Sequence, residues 1–469
     1  MSIIKQTSAD RHEGALGKIR SYSEVVEYLD GLKSIEHGEA SLKRMQKLDK
    51  IFDNVSQAVP TILVGGSNAK SSTINFASKL LKEEGYKVGA VYSSHFLSYN
   101  ERLSLESVTI QNKRFTELLN EVINAAEMSK IVATSFELMT MAALLYFKAE
   151  QVDVALLEVG LGGLYDATNI CSPKICALTR VAEDHVDVLG KDLDAQTREM
   201  IGIAKAGSWF VSAEQSKIRL QKMKDWVEER GAKWAMPIRK LATLPYIFEQ
   251  LYGRSASLAE RIAQIFVEEI NGKFSPFLRG NLLATQRGQR GRPTLEAKRA
   301  AELNPIKTLK SFWHETFELL RGRFELLDKE KPTILLDNAH NVDALSNVFL
   351  GIRLLHYQRT LNGLALVIGL DEYHNISEVM KYVRYLFKKV PGQIFFVPVP
   401  GSKLYHEPLE LVRIAQNMHL KAKASFSFEE AFQMAKNAVD ERQGLVAICG
   451  SAALVTEYWK IKGIKKFPQ

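Results

Sequence analysis

Cysteine is scarce in this chain. Cys171, Cys176 and Cys449 are the only three in 469 residues. That is too few for a disulfide framework, and their spacing matches no zinc-ligand pattern. Long apolar runs are also missing. Nothing approaches the roughly 20 residues that a spanning helix needs. The N-terminal stretch MSIIKQTSADRHEG lacks the apolar core of a secretory signal. Repeats and low-complexity tracts are absent too. With 46% hydrophobic and 25% charged residues, the composition is that of a globular protein, and the length suggests two or three domains. We read the chain as cytoplasmic, with no membrane partner.

The charge balance is +8, which suits anionic partners in general. Part of the excess sits in Leu278–Lys310, where eight Lys/Arg face only Glu296 and Glu302. No nucleic-acid motif accompanies it, so a solvated insertion is expected and nucleic acid is not.

Continuous apolar strands alternate with amphipathic helices. VPTILVGG, YKVGAVYSS, VDVALLEVG and KICALTRVA read as buried strands, and INFASKLLKEEG and FELMTMAALLYFKAE as helices. This α/β pattern predicts a mainly parallel sheet with helices on both faces. A fresh strand–helix series follows GRFELL, with PTILLDNAH, GLALVIGL, GQIFFVPV and GLVAICGS as strands. The expected division is a P-loop-type domain over 1–315 and a smaller Rossmann-like α/β domain over 316–469.

Three stretches carry candidate chemistry. VGGSNAKSST lies between a strand and a helix, where backbone N–H groups and the helix N-terminus attract phosphate oxygens. Gly66, Lys70, Ser71 and Ser72 supply the parts of such a loop, although an ordinary strand-to-helix turn would look similar. A left-handed Ala69 there would cost about 1 kcal/mol. LLEVGLGGLYDATN places Glu158 at the carboxyl end of a strand, where open α/β sheets bind ligands. EDHVDVLG puts His185 after the next strand, so the two side chains could share a divalent ion.

These motifs, taken in order, resemble the folylpolyglutamate synthase/dihydrofolate synthase members of the Mur ligase family. VGGSNAKSST is similar to AGTNGKGST, VGAVYSSHFLSYNERL to VGVYSSPHLVRYNERI, and TSFELMTMAALLYF to TYFEALTLAAF. LEVGLGGLYDATN resembles LEVGLGGRLDATN, EDHVDVLGKDLDAQTREMIGIAKAG resembles LDHTEYLGDTLEEIAREKAGIIKPG, and LLDNAHNVDAL resembles LDGAHNPDA. The set spans roughly residues 20 to 460.

The resemblance implies an ATP-dependent ligase of folate biosynthesis and one-carbon metabolism. It would join L-glutamate to dihydropteroate or a reduced folate through an acyl phosphate, with ATP and magnesium (Mg2+) as cofactors. Gly66, Ser67, Asn68, Ala69, Lys70, Ser71 and Ser72 would cradle the triphosphate, with Lys70 and His185 catalytic. Ser93, or failing that Ser94, would hold magnesium with Glu158 and His185. Arg323, Asp337 and His340 would reach the nucleotide from the second domain. Thr134, Ser135, Phe136, Glu137, Tyr165 and Asp166 would line the pterin wall. The family also favours a monomer.

Departures from the family pattern fall on Ala69 for glycine, Leu164 for an arginine, Met200 for a carbamylated lysine and, by a loose alignment, Ala259 for an asparagine. They leave two alternatives open: a relative that binds nucleotide or folate without turnover, or a ligase for another carboxylate. Lys205, five residues after Met200, would replace the lost lysine only if its helix shifted.

Overall fold

The computed structural model describes residues 17–32, 38–279, 307–372 and 375–467. Most of the basic insertion expected at 278–310 lies outside them. The strands divide into two sheets. The first holds β1 (Thr61–Gly65), β2 (Val88–Val91), β3 (Leu103–Leu105), β4 (Val108–Thr109), β5 (Val154–Glu158), β6 (Ile175–Leu178), β7 (Trp209–Ser212) and β8 (Lys233–Ala235). Its order is β4-β3-β2-β5-β1-β6-β7-β8. Pairing is parallel from β2 to β8, and the β3 and β4 hairpin adds an antiparallel edge. Every residue of β1 and β5 is buried, as expected for central strands covered on both faces.

The second sheet holds β9 (Glu325–Leu327), β10 (Thr333–Leu336), β11 (Leu364–Ile368), β12 (Gly392–Phe396), β13 (Ala422–Ala424) and β14 (Leu445–Cys449). The order is β13-β12-β11-β14-β10-β9, with only β9 antiparallel. No helix of the described residues is long and apolar enough to cross a membrane.

Packing fixes where the site lies. The helix Lys70–Glu83 leaves the end of β1 and packs on the long helix Phe248–Gln264. Phe76 forms the joint, its ring 5.3 Å from Trp313 and 6.5 Å from Tyr252, both edge-on. Fully burying such side chains contributes about 1.5–3 kcal/mol each. One apolar cluster runs on from these helices to Leu335, Leu366 and Ile394 of the second sheet, so the two sheets share a core.

The loop after β2 provides a second joint. Phe96 packs over the turn at Gly322, whose φ is +63°. A Cβ on Gly322 would lie 2.4 Å from Phe96 Cζ, so glycine is required there on both counts. Thr456 Oγ1, from the second half, donates to Phe96 O at 3.0 Å.

Candidate active site

The carboxyl ends of β1, β2, β5 and β6 face the second sheet across a cleft of about 560 Å³. Ligands gather at this edge in open α/β sheets because chain connections diverge there. The loop after β1 runs into the Lys70–Glu83 helix, so Ser67, Asn68, Ala69, Lys70 and Ser71 line the cleft around the helix N-terminus.

Two loop residues take left-handed conformations. Gly66 has φ +120°, and a Cβ there would sit 2.1 Å from Thr179 Oγ1. Glycine is obligatory at that point. Ala69 has φ +64° and faces no such clash, so alanine bears only the strain of about 1 kcal/mol expected from sequence. Lys70 folds back on its own loop, with Nζ donating to Gly66 O at 2.8 Å. Ser67 Oγ donates to Ala182 O at 2.9 Å, tying the loop to the segment after β6.

Across from the loop, Glu158 collects oxygen donors. Ser71 Oγ donates to its Oε1 at 3.1 Å, Ser93 Oγ donates to the same oxygen at 2.8 Å, and Ser93 N reaches Oε2 at 3.2 Å. Ser94 lines the same cleft but makes no bond to Glu158. Arg323, from the second half, donates to Ser71 Oγ at 3.4 Å. Two hydroxyls and a carboxylate converging at one point form the hard oxygen set that suits Mg2+. His185 borders the same cleft in a left-handed conformation at φ +47°. Burial lowers its pKa, leaving a neutral imidazole able to act as a ligand. The place of the carbamylated lysine is not filled. Met200 is 3% exposed within the core, and Lys205 is committed elsewhere, its Nζ donating to Asn169 O at 3.2 Å. The residues therefore fit one magnesium ion beside the phosphate loop.

Residues from the second half close the cleft. Asn68 Nδ2 donates to Asn341 Oδ1 at 3.1 Å and to Asp343 Oδ2 at 2.9 Å, while Asn341 Nδ2 reaches Asp184 Oδ2 at 3.1 Å. Arg180 pairs with Asp343 at 2.7 Å, and His340 Nε2 lies 3.7 Å from Asp184. Burial pushes both members of the last pair toward neutrality, but their mutual attraction prevails. Asp184 is held down at about 2 and His340 is raised. Asp337 is buried, with its pKa raised by burial. Its oxygens accept from Phe324 N and Ala339 N at 2.7 Å each, so it shapes the turns that carry Arg323 and His340.

The far wall of the cleft carries Thr134, Ser135, Phe136, Glu137, Tyr165 and Asp166. Two of these are occupied internally. Glu137 closes a capping box with Thr134 and also accepts from Ser41 Oγ at 2.7 Å and Arg44 Nη2 at 2.9 Å. Asp166 accepts from Gly160 N at 2.9 Å, Leu161 N at 3.0 Å and Thr168 Oγ1 at 2.6 Å. They hold the wall in shape, leaving Ser135, Phe136 and Tyr165 as its presenting side chains. Leu164 is absent from the cleft lining and packs against Gly202.

Sequence reasoning missed Ser41, Arg44, Arg102, Asp184, Asn341 and Asp343. Arg102, Asp184, Asn341 and Asp343 lay within motifs already singled out, SYNERL, EDHVDVLG and LLDNAHNVDAL, whereas Ser41 and Arg44 lay in none. Ala259 is fully buried and does not line the cavity shared by Asn68, Tyr252 and Asp337, which Ser255, one helical turn earlier, borders.

No protein-family profile matches the chain. It is 29% identical over 321 residues to the dihydrofolate synthase/folylpolyglutamate synthase of Bacillus subtilis, covering 66% of this chain and 70% of that one. Escherichia coli FolC, solved in complex with DHPP and ADP, aligns at a TM-score of 0.72 with 23% identity, over 96% of this chain and 99% of that one. A bifunctional folylpolyglutamate synthase/dihydrofolate synthase solved with Mn, AMPPNP and L-glutamate bound gives a TM-score of 0.71 at 22% identity, over 95% of this chain and all of that one. The loop at the end of β1, the serine–glutamate cluster facing it and these relatives lead to one conclusion: in sequence and in fold the chain is similar to the folylpolyglutamate synthase/dihydrofolate synthases.

Proposed function

We propose that the protein is an ATP-dependent ligase that adds L-glutamate to a folate-type carboxylate, dihydropteroate or a reduced folate and its polyglutamates. One observation carries the reading. A single cleft runs without interruption from the phosphate loop, past Ser71, Ser93 and Glu158, to the wall at Thr134–Glu137 and Tyr165. Triphosphate and acceptor thus fit in one space, as an in-line transfer demands. That relatives were solved with ADP and DHPP, and with Mn, AMPPNP and L-glutamate, supports the same reading.

In the first step an acceptor carboxylate oxygen bonds to the γ-phosphorus of ATP, and the bridge to the β-phosphate breaks, releasing ADP. The amine of glutamate then bonds to the acyl carbon. The C–O bond to phosphate breaks, phosphate leaves and the amine sheds a proton. Lys70, the loop N–H groups and Arg323 neutralise the transferring phosphoryl group. A magnesium ion, when bound by Ser71, Ser93 and Glu158, supplies further neutralisation on the phosphate oxygens. Phe136 and Tyr165 give the acceptor's ring flat apolar surfaces. The second half of the chain covers the loop and excludes water.

Both walls of the cleft come from one chain, which supports a monomer as the active unit. Three free, buried cysteines fit a reducing cytoplasm. The test is product analysis by mass spectrometry with ATP, magnesium, L-glutamate and a panel of pteroate and folate acceptors. A glutamylated acceptor and free phosphate are expected only when all components are present. Lys70→Ala should lower that turnover by roughly 100- to 1000-fold. Absence of any glutamylated product would reject the reading.

A further inference from the structure

Most cations of the cleft have an evident use. Arg44 is neutralised by Glu137 at 2.9 Å. Lys70 and Arg323 stand at the phosphate loop. Arg102 is different. It is half-buried and borders the main cleft but not the neighbouring cavity around Tyr252 and Ser255. Among the described residues its guanidinium enters no ion pair. Nε donates to His95 Nδ1 at 2.9 Å, and the guanidinium carbon lies 5.1 Å from the centroid of the Tyr99 ring. Glu158, Glu101 and Asp30 attract it only from beyond ion-pair distance.

A cation shielded from water is costly unless an anion meets it. Here the protein supplies none at contact distance, yet it fixes the side chain on two sides. His95 takes the Nε–H, and its own ring lies 4.4 Å from that of Tyr99. With Nε occupied, both terminal nitrogens keep their N–H groups, the fork that grips a carboxylate through two parallel bonds.

We infer that Arg102 binds a substrate carboxylate in this cleft, and that His95 is the positioning residue that keeps the guanidinium turned toward it. The inference rests on the ligase reading above. Two reactants carry carboxylates: the acceptor, whose carboxylate is to be phosphorylated, and the incoming glutamate.

The test is calorimetric titration of the full chain, with a non-hydrolysable ATP analogue present, by dihydropteroate and by its carboxamide. The wild type should favour the carboxylate by roughly 10- to 100-fold, the value of a charge-assisted hydrogen-bonded pair. Arg102→Ala should bring the two acceptors within about twofold. His95→Asn, whose amide oxygen can accept the Nε–H, should keep the preference, and His95→Leu should lose most of it. Arg102→Lys retains charge without the fork and serves if the alanine variant fails to fold, as judged by its melting curve. A second arm measures KM for L-glutamate in the same variants. A preference that survives together with a raised glutamate KM would assign Arg102 to the amino acid's carboxylate, within the same inference. If neither quantity moves, the inference is overturned while the ligase reading stands. If the wild type binds neither acceptor, the folate reading falls and takes this inference with it.

Discussion

Gly66 and Ala69 lie three residues apart in one loop and both have positive φ, yet only one must be glycine. At Gly66 the backbone angle and the 2.1 Å approach to Thr179 Oγ1 exclude a side chain. At Ala69 the left-handed strain is set against the extra flexibility that glycine would give the unfolded chain, and the two terms are of similar size. Ala69→Gly should therefore change unfolding free energy by no more than about 0.5 kcal/mol. Gly66→Ala should destabilise by about 2 kcal/mol or more. Urea denaturation of both variants checks this, and equal effects would show that the loop geometry is wrong. Met200 is the departure with chemical weight. A buried thioether cannot carry the negative charge of a carbamate, so a magnesium ion here would rest on Ser71, Ser93 and Glu158, with His185 near by.

At the scale of elements, the phosphate loop is held by the second half of the chain. Asn68 bonds to Asn341 and Asp343 at the N-terminus of the helix Val342–Gln358, and His340 faces Asp184. Asp343→Ala removes one bond to Asn68 and the pair with Arg180. Because Arg180 is 46% exposed, that pair adds little, and the shift toward an open form should be about 1 kcal/mol. Small-angle scattering of the ligand-free variant should give a larger radius of gyration than the wild type, and an unchanged radius would rule out the clasp. The clasp also depends on pH. His340 is raised above its usual value, so its attraction for Asp184 is complete below about pH 6.5 and is lost as pH rises through the folded value. Asp184, held at about 2, stays ionised throughout. Lys70, His185 and Asp337 also face His340 and set the size of the effect without reversing it. Wild-type scattering should therefore show a more open form near pH 8.5 than near pH 6.

Elements also mark what the sequence made legible. Buried parallel strands such as β1, β5 and β14 are unbroken apolar runs and could be read directly. The short edge strands β4, β8, β9 and β13 have two or three residues each, too few to show alternation. Site residues within one motif, such as Lys70, Glu158 and His185, were legible because a strand end fixes their place. Ser41 and Arg44 were not, because helix packing brings them in from a segment that carries no motif; Asn341 and Asp343 stood beside His340 in LLDNAHNVDAL, but only the approach of the two halves gives them Asn68 as a partner. Glu137 and Asp166 were read as substrate contacts, and only the structure reveals that backbone and neighbouring side chains already fill their oxygens.

For the whole molecule, the arrangement gives each half a task. The first sheet presents the loop after β1, the serine–glutamate cluster and the wall at Thr134–Glu137 and Tyr165, and the second half supplies Arg323 and His340 and the cover over the loop. The proposed reaction requires that the acceptor's own carboxylate be phosphorylated before the amide forms. The most direct measurement uses an acceptor whose carboxylate carries heavy oxygen, turned over with ATP, magnesium and L-glutamate. One heavy oxygen should appear in each phosphate released, because the C–O bond that breaks belongs to the acceptor. Phosphate without the label, alongside a glutamylated product, would contradict the account.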